Sequence, residues 1–73
     1  MSLTVTGIIE RKGLGPGVWA LISDSGETYE LQKTPSELRK VGLKVTITGE
    51  TRSDVMTFAM IGPVLEVHSF EVI

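Results

Sequence analysis

His68 is the one histidine of this chain, and Glu66 stands two residues before it. On an extended strand residues i and i+2 share a face, so the two side chains could reach toward one metal ion. A zinc site needs three or four protein ligands, and two do not make one. A general acid or base needs a partner group in reach, and the neighbouring sequence supplies none. The spacing therefore predicts a surface histidine, or one at a strand irregularity. Ser23, Ser25, Ser36, Ser53 and Ser69 fall in turns, at a helix start or at strand ends. With one histidine in the chain and no Gly-x-Ser-x-Gly elbow around any of them, these serines predict no catalytic triad. Glu27 and Glu30 point to opposite strand faces, and Glu66 and Glu71 flank the proposed irregularity. Neither pair is placed for acid–base work. Gly13-Leu14-Gly15-Pro16-Gly17 lacks the Gly-Lys-Ser/Thr ending of a phosphate loop, and no helix follows it. These residues predict no enzyme, and no catalytic, cofactor-binding or metal-binding residue.

Binding chemistry is better represented. Large apolar residues alternate through Trp19-x-Leu21, then Asp24-Ser25-Gly26, then Tyr29-x-Leu31. If Ser23 and Glu27 flank the turn, Leu21 opposes Tyr29 and Trp19 opposes Leu31. That face could be an aromatic platform for single-stranded nucleic acid, but the two leucines give it the composition of a core. Arg11, Lys12 and Lys33 could gather at one rim for nucleic acid or another polyanion. The apolar surplus is larger. Ile8, Val18, Ala20 and Ile22 occupy the other face of the first two strands, and Met56, Phe58 and Met60 form a second cluster. Such patches mark interaction surfaces, and methionine suits adaptable contacts. The second cluster could equally fold back and cap a barrel end.

The elements that position these residues follow from periodicity. Residues 3–11, 18–23 and 27–32 read as strands, with Gly7 marking a bend or bulge in the first. Asp24-Ser25-Gly26 fits a type I turn with Gly26 left-handed. Thr34, Pro35 and Glu37 form an N-terminal capping pattern, Leu38 and Val41 are apolar anchors, and Gly42 is a stop signal. They predict one short helix over 35–41 docked on the sheet. Residues 43–50 alternate cleanly, and 55–61 alternate again. In the last strand, 64–72, the apolar set shifts from Leu65 and Val67 to Phe70 and Val72. A one-residue bulge near His68-Ser69 accounts for that shift.

Three strands, a short helix and two or three more strands predict a mainly β fold. The specific expectation is a small OB-like barrel of five or six strands. An SH3-like barrel and an open ββα sheet are the rivals. The chain resembles small uncharacterised bacterial OB-fold proteins. Gly17-x-Trp19-x-Leu21, Gly26-x-x-Tyr29-x-Leu31, Pro35-x-x-Leu38-x-x-x-Gly42-x-x-Val45-x-Ile47-x-Gly49 and Gly62-Pro63-x-Leu65-x-Val67 carry the resemblance. These positions determine a fold. The resemblance implies no catalytic or ligand motif.

Composition sets the outer bounds. The 73 residues suffice for one domain, 1–73. Without cysteine, stability rests on one core or on a partner, and a reducing cytoplasm is the expected setting. Seven basic and nine acidic residues give a net charge of −2, which weighs against non-specific nucleic-acid binding. No apolar run approaches the ~18 residues of a membrane span. The function expected is that of a non-enzymatic, cofactor-free binding module. Its partner is another protein or a second copy in a homodimer. Binding of single-stranded nucleic acid or a small polyanion is the alternative.

Overall fold

The computed structural model describes residues 2–12, 17–54 and 61–73. The described residues form five strands: β1 (Leu3–Lys12), β2 (Val18–Ser23), β3 (Thr28–Gln32), β4 (Lys44–Thr51) and β5 (Val64–Val72). They form one sheet closed into a ring in the order β1-β2-β3-β5-β4. All neighbours are antiparallel except β3 and β5. The expected alternating strand over 55–61 falls almost wholly outside the described residues.

Alternation places the core. Val5 and Ile9 of β1, Leu21 of β2, Tyr29 and Leu31 of β3, Val45 and Ile47 of β4, and Leu65 and Val67 of β5 face inward and are buried together. Trp19 and Phe70 pack against them, half-buried. The β2–β3 hairpin is therefore a wall of the core, as its leucines implied. Its register is also as expected: Leu21 opposes Tyr29. The Ser23 N–H donates to the Glu27 carbonyl (2.8 Å), and Gly26, at φ +94°, closes the turn by donating to the Ser23 carbonyl (2.9 Å). Gly7 marks a close approach of neighbouring backbone, where a Cβ would strike the Ile22 carbonyl oxygen.

The helix expected over 35–41 is corrected to a single 3-10 turn, Ser36–Leu38. Pro35 takes the cap position in an extended conformation, and no side chain caps the turn, so the Thr34–Glu37 box does not form. Leu38 is fully buried, but Val41 is 60% exposed and is no anchor. The reason is competition from β1. The Gly42 N–H donates to the Ile9 carbonyl (2.7 Å), and the Ile9 N–H donates to the Leu43 carbonyl (2.9 Å). Those bonds capture the chain before a second helical turn, and so short a helix cannot hold itself.

The bulge in β5 lies where the apolar shift placed it. Thr48 opposes Ser69 and Gly49 opposes Val67, which leaves His68 as the extra residue. Gly49 fits this crossing because any Cβ there would meet the Glu66 carbonyl oxygen.

Candidate functional site

The apolar residues expected on the outer face divide three ways. Ile8 and Ile22 oppose each other across β1 and β2, and Ile8 is 39% exposed. Val18 is half-buried and Ala20 fully buried, so Ala20 offers no accessible surface. Met56, Phe58 and Met60 lie outside the described residues. The sequence reading did not include Ile73 or Lys44. Ile8 opposes Lys44, whose carbonyl accepts the Ile73 N–H (3.0 Å). Ile22, Ile8, the Lys44 stem and the exposed Ile73, the residue after β5, thus form one outer row. The Lys44 ammonium reaches Asp24 (3.4 Å).

Two of the three basic rim residues are already engaged. Arg11 stacks on the Trp19 ring, 4.8 Å from its centroid. Lys33 Nζ lies 2.6 Å from Glu66 Oε1. Lys12 is exposed at the end of β1. The neighbouring outer surface is acidic, because Ala20 is flanked by Glu10 on β1 and Glu30 on β3.

Glu66 is the main feature that strand periodicity did not reveal. It lies on the outer side of β5, between Gln32 and Glu50, yet is only 6% exposed. Lys33 takes one carboxylate oxygen, and Arg52 Nη1 donates to the other at 2.6 Å. Arg52 also forks onto Asp54 through Nε (3.1 Å) and Nη2 (3.0 Å). Its backbone N–H is fixed on the Val64 carbonyl (2.8 Å). Hydrogen bonds from Lys33 first, and then from Arg52, hold the Glu66 carboxyl down at about 2, against the opposing effect of desolvation. The Arg52 bond likewise lowers the Asp54 carboxyl, and both carboxylates raise Arg52.

His68 Nε2 is 3.8 Å from Glu66 Oε2, so the expected His68–Glu66 proximity is real. Glu50 joins them, with ligand atoms of all three within 4.8 Å of one another. Both Glu66 oxygens already serve cations, however. A divalent ion would have to lie against Lys33 and Arg52. The arrangement is a charge clamp joining the end of β3, the end of β4 and the middle of β5.

A second polar network borders an open groove of about 340 Å³ lined by residues of β1 and the β2–β3 hairpin. Ser23 and Ser25 hydroxyls pair at 2.9 Å, and the Glu27 N–H donates to Ser23 Oγ (3.1 Å). Tyr29 donates to Glu27 Oε2 (3.0 Å). Burial first, then Glu27, raises the Tyr29 phenol above its ordinary value. These hydroxyls organise a turn; none is joined to a histidine. No helix among the described residues is long and apolar enough to cross a membrane. The chain matches no family model, no curated protein and no solved structure.

Proposed function

We propose that this chain is a non-enzymatic, OB-like β-barrel that binds protein through the outer face of β1 and β2. The observation that carries the reading is the Ile22–Ile8–Ile73 row. Ile22 on β2, Ile8 on β1 and Ile73 just beyond β5 flank the Lys44 stem of β4 on the side of the sheet that does not form the core. The strand order, with β3 parallel to β5 and one turn between β3 and β4, supports the OB-like assignment. A cysteine-free chain also suits a reducing cytoplasm. Light scattering at micromolar concentration, beside binding of an environment-sensitive apolar dye, tests the reading. Wild type is expected to self-associate or bind the dye, and Ile8→Lys to do neither. A wild-type chain that stays monomeric and binds no dye overturns it.

The Arg11–Trp19 stack at the ring's rim favours one second reading, binding of single-stranded nucleic acid. Glu10 and Glu30 oppose it on the adjoining face. Oligonucleotide titration at low ionic strength, where phosphate attraction is greatest, decides: no binding there removes this reading.

A further inference from the structure

We infer that the second half of β5 is an open edge that accepts an extended segment of a partner protein as an added strand. The segment has a basic residue between two apolar ones. This rests on the protein-binding reading but uses a different surface from the isoleucine row.

Hydrogen-bond phase identifies the edge. In an antiparallel ladder, opposed pairs alternate between bonded and non-bonded. The bond from the Ile73 N–H to the Lys44 carbonyl makes Lys44/Ile73 a bonded pair. Following the register, Thr46/Glu71 and Thr48/Ser69 are bonded as well. The other side of β4 agrees, since Leu43 is bonded to Ile9 of β1. Phe70 and Val72 therefore direct their N–H and C=O groups away from β4. On that side β3 pairs with β5 only from Val64 to Glu66. At Lys33, φ is +57°, and β3 has ended. Among the described residues no strand covers Phe70 or Val72.

Side chains at this edge specify the occupant. Val72 is 52% exposed. Glu71 is exposed and makes no ion pair among the described residues. An incoming strand would set apolar side chains beside Phe70 and Val72, and a cation opposite Glu71. Backbone pairing supplies affinity in strand addition, and alternate side chains supply selection. A second copy fits less well. Antiparallel self-pairing of Phe70 with Val72 sets Glu71 against Glu71, and directly opposed like charges are destabilising.

The probe is a short capped peptide alternating valine with threonine around one central lysine, compared with its central-glutamate counterpart. Residue-resolved amide exchange in the free chain should show Phe70 and Val72 exchanging fast while Ser69 and Glu71 are protected. The lysine peptide should protect Phe70 and Val72, and should bind about two- to fivefold more tightly than the glutamate peptide. Val72→Pro removes an outward N–H that β4 does not use, and should abolish binding. Glu71→Lys should reverse the peptide preference, which decides the matter if the proline variant does not fold. Ile8→Lys should leave peptide binding unchanged, so failure of the isoleucine row and failure of this edge are read separately. Phe70 and Val72 amides already protected in the monomer overturn the proposal. So does their protection through dimerisation, or a peptide that protects neither.

Discussion

The two halves of β5 form a contrast within one strand. Val64 to Val67 are all buried, between β3 and β4, and the one charge among them, Glu66, is held by Lys33 and Arg52. From His68 to Val72 every residue is exposed except Phe70, which is half-buried, and among the described residues only β4 lies alongside. The local sequences differ in hydropathy, since Val64, Leu65 and Val67 surround one charge whereas His68, Ser69 and Glu71 stand among only two apolar residues. The number of neighbours differs with it: a strand paired on both sides becomes scaffold, and one paired on a single side keeps half its backbone groups for something else.

Substitutions can break that contrast or sharpen it. The largest effect is expected from Leu65→Ala, in the first half, where the side chain is fully buried. A loss of about 2–5 kcal/mol should lower the urea midpoint. Gly49→Ala should come next, at about 1–3 kcal/mol, because the new methyl collides with Glu66 backbone at the bulge. Its amide-exchange signature should be loosening of Val64 to Val67 more than of Ser69 to Val72. Acid provides a third test. The Glu66 carboxyl is held at about 2 in the fold against an ordinary 4.5. Its contribution to stability is therefore complete above 4.5 and is lost as pH falls toward 2. Thermal unfolding of Glu66→Gln should depend less on pH across that window than wild type does. Equal slopes would mean that the clamp contributes nothing. The smallest effect is expected from Val72→Ala, within about 0.5 kcal/mol, since half of that side chain is already in water. A loss comparable to that of Leu65→Ala would erase the distinction between the halves.

Much of this architecture was legible because strands announce themselves by alternation. The limits of β2, the Leu21–Tyr29 pairing and the bulge beside His68 follow from which residues are large and which turn signals lie between them. The helix over 35–41 was misread for a physical reason. Capping residues describe a local preference, whereas the bonds from Gly42 and Leu43 to Ile9 come from a strand thirty residues away. Glu66 shows a second limit. Period two says which way a side chain points but not what covers it. Its cover comes from Lys33 and Arg52, long side chains at the ends of two other strands. The open edge was hidden for the same reason, because it depends on where β3 stops relative to β5.

The bulge at His68 carries a consequence for how this segment can vary. It works like a reading-frame shift: upstream of it Val64 and Glu66 address β4, and downstream Ser69 and Glu71 do. Removing that one residue would merge the two frames: Leu65, Val67, Phe70 and Val72 would follow one unbroken alternation, with Ser69 and Glu71 still facing outward. At His68, then, length is the free variable: one codon can be lost there and every apolar side chain downstream still faces the core.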